Sequence, residues 1–97
     1  MPHWRNTMLG HAAANIMPVL ASNRIGKEVA GNSSMVFQGF SFIANQYGEV
    51  VEEMDRVETG VRVHEFDLDA IDKERCNWGV FRDRRPECYG DIKKFGE

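Results

Sequence analysis

Two cysteines are the side chains of this 97-residue chain best suited to covalent chemistry, since a thiol can be a nucleophile, a metal ligand or half of a disulfide. Cys76 and Cys88 are twelve residues apart, and neither follows a strand-to-turn elbow with an evident activating base. Nothing else marks the chain as secreted. We therefore predict two free thiols, with a disulfide or a metal half-site as alternatives, and assign no catalytic residue, metal ligand or cofactor.

Asn23 and Arg24 are the polar pair most favourably placed to bind a small molecule. They follow residues 19–22, a run of small or apolar residues bounded by Pro18 and Gly26. Such a run predicts a buried strand that needs cover on both faces. Polar residues on a loop that leaves a buried strand are where sites gather in layered α/β proteins.

A helix must precede that strand. Apolar residues recur at every fourth position and define one helical face: Trp4, Met8, Ala12 and Ile16. Pro18 should end the helix. His11 and Asn15 are also four apart; they could face a partner, or they could form hydrogen bonds within the helix, which we favour.

The middle of the chain reads as turns and β-structure. Residues 27–34 are rich in turn formers and predict a loop. Residues 36–44 are β-prone but are broken by Gly39, which predicts a bulge or the close approach of another backbone. Residues 46–48 should form the turn of a hairpin whose second strand is residues 49–54.

A charged loop, a strand and a short helix are predicted next. Residues 55–60 form the loop, and residues 61–66 alternate in a strand-like manner. Asp67 or Asp69 can cap a helix that extends to about Arg75, because a carboxylate suits the positive end of the helix dipole.

The stretch from residue 78 to residue 89 alternates aromatic groups with fixed charges. A solvated charged tail is one interpretation. Its three aromatic residues, however, favour a segment that binds to a surface: Trp78, Phe81 and Tyr89. We expect Trp78 to be a buried anchor.

Net charge and hydropathy exclude several classes of partner. The net charge is −3, which gives no reason to expect nucleic acid or an anionic membrane as partner. No apolar run approaches the length of a membrane span. Residues 12–22 could pass for a signal peptide, but Asn15 and Pro18 interrupt them. We predict a cytoplasmic protein without a nucleic-acid or membrane partner.

Four collinear blocks resemble the nitrilase (carbon–nitrogen hydrolase) superfamily, and within it the N-carbamoylputrescine amidases. The blocks are residues 75–89, RCNWGVFRDRRPECY; residues 10–26, GHAAANIMPVLASNRIG; residues 37–44 and 48–51, FQGFSFIA and GEVV; and residues 65–71, EFDLDAI. The resemblance covers nearly the whole chain. One departure is Ala14, which stands where many members of the superfamily have a glutamate.

The resemblance implies an α/β fold, the C-terminal part of a four-layer α-β-β-α sandwich, with residues 1–97 as one incomplete domain. It implies hydrolysis of a small ureido substrate, N-carbamoylputrescine, to putrescine, carbon dioxide and ammonia. The family's cysteine, glutamate and lysine would lie upstream of this segment, whereas Asn23 and Arg24 would be substrate-binding. It also implies a homo-oligomer with a contact through residues 81–89. The alternative is an inactive half-fold that acts by pairing with another subunit.

Overall fold

A helix packed on a three-stranded sheet forms the centre of the molecule. The structure is a computed structural model that describes residues 2–96, so both end residues of the predicted 1–97 domain lie outside it. The elements are α1 (Pro2–Asn15), β1 (Val19–Ala21), β2 (Ile25–Ala30), β3 (Ser33–Gln38), β4 (Phe42–Ala44), β5 (Val50–Glu53) and α2 (Leu68–Trp78), with 3-10 turns at Pro86–Cys88 and Gly90–Lys93. Between residues 2 and 96, neither helix is both long and apolar enough to cross a bilayer.

The core lies between α1 and one face of the sheet β1-β4-β5, whose strands are antiparallel. Ala12, Phe42 and Ala44 are its buried centre. Side chains alternate between the faces of a strand, so strand positions two apart meet the helix. The residues packed around this centre are Trp4, Met8, Leu9, Val19, Ala21 and Val50. The predicted apolar face of α1 is therefore confirmed for Trp4, Met8 and Ala12, whereas Ile16 is buried just beyond the end of the helix. The Asn15 side chain donates to the carbonyl of His11 at 2.8 Å, which is the local hydrogen bond that we favoured.

The opposite face of the same sheet is open at Leu20, whereas Ile43 beside it is only 8% exposed. Leu20 pairs with Ile43, which pairs with Glu52, so these three side chains share that face. Leu20 is 68% exposed. The prediction that β1 is covered on both faces is wrong for the described residues, because no second layer lies across Leu20.

The predicted hairpin of β4 and β5 is confirmed. The Asn45 carboxamide oxygen accepts from the backbone N–H groups of Tyr47 and Glu49, each at 3.0 Å, which fixes the turn. Gly48 has φ +77°, and a β-carbon there would lie 2.9 Å from the carbonyl oxygen of Leu9 in α1. Only glycine lets the turn approach the helix so closely.

The region predicted as a loop over residues 27–34 is instead a second hairpin. β2 and β3 pair from Ile25 with Gln38 to Ala30 with Ser33, closed by a two-residue turn. Gly31 begins that turn with φ +60°. A Gly-Asn turn between β-prone runs is a hairpin signal, and here it outweighs the polar composition.

This second hairpin extends away from the core. The radius of gyration of the chain is 18.0 Å, whereas a compact chain of this length would have about 12–13 Å. Gly39 and Phe40, both at positive φ, separate β3 from β4. A β-carbon at Gly39 would lie 2.8 Å from the Asp55 carbonyl oxygen, so the predicted close approach at Gly39 is confirmed.

Residues 61–66 do not form the predicted strand. Val61 and Val63 are each 80% exposed. A strand needs a neighbouring strand to satisfy its peptide groups, and the described residues supply none at this position. The helix that follows is confirmed: the Asp67 carboxylate accepts from the Ala70 N–H at 3.1 Å, and Gly79 ends α2 in the left-handed conformation.

The tail after α2 forms contacts mainly with itself. Arg82 pairs with Asp83 at 2.9 Å, and Arg85 pairs with Glu87 at 2.5 Å. Trp78 is 71% exposed, so the prediction of a buried anchor is wrong for the described residues, because no layer of this chain reaches it. Cys76 and Cys88 are exposed free thiols, as predicted.

Candidate functional site

A cleft of about 460 Å³ lies on the open face of the three-stranded sheet. Its floor is Leu20 and Ile43, and residues 54–62 form one wall. Apolar and polar groups both contribute to the lining, which comprises Leu20, Ala21, Ser22, Asn23, Ile25, Ser41, Phe42, Ile43, Glu52, Met54, Asp55, Glu58, Thr59, Gly60, Val61 and Arg62. The cleft could take a small molecule with an aliphatic part and a polar end.

Asn23 lies at the rim of the cleft, where its carboxamide joins two segments. Its Nδ2 donates to the carbonyl of Gly39 at 2.9 Å, and its Oδ1 accepts from the N–H of Arg24 at 2.9 Å. Its own N–H donates to Oγ of Ser41 at 2.8 Å. The end of β1 is thereby tied to the segment between β3 and β4.

Ser41 is a site residue that sequence analysis did not single out. The backbone around it continues the connection, because the Met54 N–H donates to the Ser41 carbonyl at 2.9 Å. The Phe40 N–H donates to the Asp55 carbonyl at 3.3 Å. The only sequence signal was its position in the Gly-Phe-Ser string that carries the family resemblance.

Asp55 organises the wall of the cleft. Its Oδ1 accepts from the N–H groups of Val57 at 2.9 Å and Glu58 at 2.7 Å. These two donors hold the pKa of Asp55 below its ordinary value, because they stabilise the carboxylate. Glu58 forms an ion pair with Arg62. With Glu52 also lining it, the cleft carries three carboxylates and one guanidinium.

Arg24 points away from this cleft. Its guanidinium lies 4.2 Å from the ring centroid of Phe37 and 3.1 Å from the carboxylate of Glu28. Both partners belong to the hairpin of β2 and β3. The structure therefore places Asn23 in the cleft and Arg24 on the hairpin, and the two predicted binding side chains do not meet there.

The cleft can bind and orient a molecule, but the nucleophile types in its described lining are the hydroxyls of Ser22, Ser41 and Thr59. Among the described residues, no cysteine or lysine lines it. Cys76 lies on α2 and Cys88 in the first 3-10 turn of the tail. Hydrolysis of an amide by covalent catalysis requires an activated nucleophile and a group that stabilises the oxyanion.

A smaller cleft of about 240 Å³ separates the β4–β5 turn from the start of α2. Tyr47 spans this region, since its hydroxyl donates to Glu74 at 2.6 Å. That hydrogen bond, made with a carboxylate, raises the pKa of Tyr47. His64 lines the cleft and packs on Phe66 with ring centroids 4.7 Å apart.

Comparison with known proteins agrees with this fold. A family model described as carbon-nitrogen hydrolase matches residues 1–75. N-carbamoylputrescine amidase of Arabidopsis thaliana is 54% identical over 91 residues, which are 90% of this chain and 30% of that protein. A citrullinase of Francisella tularensis is 43% identical over 90 residues, covering 93% of this chain and 32% of that protein.

A solved structure has a similar fold. The carbon-nitrogen hydrolase of Helicobacter pylori G27 matches with a TM-score of 0.77 and 32% identity, over 95% of this chain and 32% of that one. The chain thus spans about a third of the length of the proteins it matches. The match of the family model to most of the sequence, together with this structural similarity, shows that the chain belongs to the carbon–nitrogen hydrolase family.

Proposed function

We propose that this chain forms part of an amidase that hydrolyses N-carbamoylputrescine to putrescine, carbon dioxide and ammonia. The observation that carries the proposal is the 54% identity over 91 residues with the A. thaliana amidase of that substrate. In the proposed reaction a thiolate attacks the ureido carbon and ammonia leaves. Water then releases a carbamate, which decomposes to the amine and carbon dioxide.

The proposed catalytic cysteine, glutamate and lysine belong to the part of the family domain that this segment does not cover. The absence of cysteine and lysine from the described lining of the cleft supports that assignment. This chain would supply the scaffold and part of the pocket wall. Asn23 is the stronger candidate for a substrate contact, because it lines the cleft, whereas Arg24 stacks on Phe37.

The test is to isolate the native polypeptide from source cells with an antibody against residues 78–89, which are mostly exposed. Its intact mass is measured, and its release of ammonia from N-carbamoylputrescine is assayed. We expect activity, and a mass well above the 11.1 kDa of these residues. An 11.1 kDa species that releases no ammonia would contradict the proposal.

Citrulline is the matched control substrate, because the F. tularensis relative is named a citrullinase. It is a ureido compound like N-carbamoylputrescine, but it carries a carboxylate. Three carboxylates and one guanidinium line the cleft, so we expect N-carbamoylputrescine to be the better substrate. A higher kcat/KM for citrulline would assign the chain to the other activity.

The second candidate function is that of an inactive half-fold that pairs with another subunit. The exposed apolar face at Leu20 and the large radius of gyration favour this candidate. It predicts an 11.1 kDa native species, without amidase activity, that co-purifies with a second polypeptide.

A further inference from the structure

The outer edge of β3 is an unpaired strand edge without the usual protection. β2 and β3 form a sheet of two strands in the described part of the chain, so each has one free edge. Natural edge strands avoid pairing with other chains through lysine, proline, inward charges or bulges. β3 reads SSMVFQ and has none of these, and Met35 and Val36 are 61% and 68% exposed.

The backbone of β3 is oriented for pairing. Ala30 and Ser33 close the hairpin across a two-residue turn. In such a turn the closing residues exchange hydrogen bonds, and the pattern alternates along the ladder. The peptide groups of Ser34, Val36 and Gln38 therefore point away from β2, toward whatever lies at the free edge.

A second copy of this chain is the partner that this edge fits, and we propose that β3 pairs with β3 of that copy. The strands would run antiparallel and form one four-stranded sheet, β2-β3-β3-β2. A twofold axis perpendicular to the joined sheet keeps the same face of both copies on the same side. Val36 can therefore lie opposite Val36 of the second copy, and Met35 opposite Phe37 of the second copy. This register brings aliphatic and aromatic groups together, including a thioether and a ring.

The opposite edge of the hairpin disfavours the same arrangement. β2 carries Lys27 and Glu28 at its centre. Twofold pairing of β2 centred on Lys27 or on Glu28 would place that residue against its own counterpart, and like charges directly opposite are destabilising. Charge therefore disfavours the central registers of β2, whereas β3 carries no charged residue in any register. The inference is independent of the proposed amidase activity.

Val36→Glu provides a selective test, because Val36 pairs with Lys27 inside the hairpin. The new carboxylate faces a lysine within its own chain, which supports the hairpin, but it faces a second carboxylate across the proposed interface. In the unaltered chain, sedimentation equilibrium should show the mass rising from 11.1 kDa toward twice that value with concentration. Val36→Glu should weaken this association by about tenfold or more.

Two further variants complete the experiment. Lys27→Glu with Val36→Lys reverses both charges, so this double variant should also be monomeric alone, yet should form a heterodimer when mixed with Val36→Glu. Val29→Glu is the matched control, since Val29 is 65% exposed but lies on β2 opposite Ser34. It should dimerise like the unaltered chain.

Amide hydrogen exchange shows whether the hairpin is formed in each variant, because the β3 amides that bond to β2, those of Ser33, Met35 and Phe37, should stay protected in all of them. Three results would each overturn the proposal. These are an unaltered chain that is monomeric at every concentration, association that survives Val36→Glu, and charge-reversed variants that do not associate on mixing.

Discussion

Two antiparallel β-structures of this chain have similar ladders and opposite surroundings. The sheet of β1, β4 and β5 has α1 on one face, and Phe42 and Ala44 are 3% and 0% exposed. The hairpin of β2 and β3 has no layer on either face among the described residues, and Val29 and Val36 are 65% and 68% exposed. An isolated hairpin is at best marginally stable in water.

The difference shows that packing of a second layer, and not strand pairing, makes the folded centre. The core joins α1 to β4, which is about thirty positions away in sequence. The contacts of the hairpin and of the tail join near neighbours, such as Arg24 with Glu28 and Arg82 with Asp83. Exposed ion pairs of this kind contribute little to stability.

Truncating one aromatic residue in the packed sheet and one at the exposed end of α2 should give the largest contrast. Phe42 is buried, and its ring meets that of Trp4 edge-on with centroids 5.5 Å apart. Phe42→Ala should lower the free energy of unfolding by about 3–5 kcal/mol, because it removes a buried ring and leaves a cavity. Trp78→Ala should change it by less than about 0.5 kcal/mol, because the indole is exposed.

Urea unfolding followed by far-ultraviolet circular dichroism measures both variants. The two slopes with denaturant should agree within error, so that the midpoints report stability. A loss with Trp78→Ala as large as that with Phe42→Ala would mean that the end of α2 is packed in solution, contrary to the exposure of Trp78 in this structure.

Two turn glycines give the next contrast. Gly48 and Gly31 both have positive φ, +77° and +60°, so alanine is strained at either position. At Gly48 the added β-carbon would also meet the Leu9 carbonyl at 2.9 Å and the Ala13 β-carbon at 3.2 Å, whereas at Gly31 nothing lies within 4 Å. Gly48→Ala should cost about 2–4 kcal/mol and Gly31→Ala about 1 kcal/mol.

Thermal unfolding of the two glycine variants at one protein concentration checks this difference. Equal costs would show that the β4–β5 turn moves away from α1 easily. Backbone strain alone would then account for the loss of stability in both variants. A larger cost at Gly31 would contradict the comparison between the packed and the unpacked turn.

Elements with local signals were predictable from the sequence. The apolar spacing of α1, the turn before β5 and the Asp67 cap all act within a few residues. The strand predicted over residues 61–66 is wrong because a strand also needs a distant partner. The alternating pattern is suitable, but the described residues offer no neighbouring strand. Burial of Trp78 failed likewise, because burial depends on a covering layer.

The candidate site was predictable only in part. Asn23 follows a small apolar strand and lines the cleft, but its role in substrate binding stays a prediction. Its partners could not be read from sequence, because Gly39 and Ser41 are 16 and 18 positions away. The Arg24 side chain points toward Phe37, which lies in the hairpin of β2 and β3. Its direction could not be predicted, because the polar composition of residues 27–34 indicated a loop and not a hairpin.

Asn23 and Asn15 allow the same comparison for hydrogen bonds. The Asn23 carboxamide is part-buried and bridges two segments, whereas the Asn15 carboxamide bonds one turn back on an exposed helix end. Asn23→Ala should cost about 1–2 kcal/mol, because it leaves a backbone carbonyl and an N–H without partners. Asn15→Ala should cost less than about 0.5 kcal/mol in the same urea titration. Equal effects would mean that the link between β1 and the segment before β4 is not formed in solution.

The smallest contrast concerns how two carboxylates are stabilised. The pKa of Asp55 is lowered by the N–H groups of Val57 and Glu58, whereas the pKa of Asp83 is lowered by the hydrogen bond and charge of Arg82. Both groups have a folded pKa below the unfolded one. Each therefore contributes stability that is present above the unfolded pKa and is lost as pH falls through the folded pKa.

Salt should separate the two causes. The pKa of each carboxyl group is measured by carboxyl-carbon NMR titration at about 0.05 M and about 1 M salt. The low pKa of Asp55 should hardly change between the two, because its backbone donors are held in place by the fold. The pKa of Asp83 should rise toward its ordinary value at high salt, because salt screens the charge of Arg82. Asp55→Asn keeps an oxygen acceptor for Val57 and Glu58 but cannot ionise, so it should reduce the loss of stability below about pH 4. If the pKa of Asp55 rose with salt as much as that of Asp83, the wall of the cleft would be held by exposed charges, as the tail is. The cleft wall would then resemble the hairpin and the tail, which are held by exposed local contacts, and not the sheet beneath it, which is held by packing.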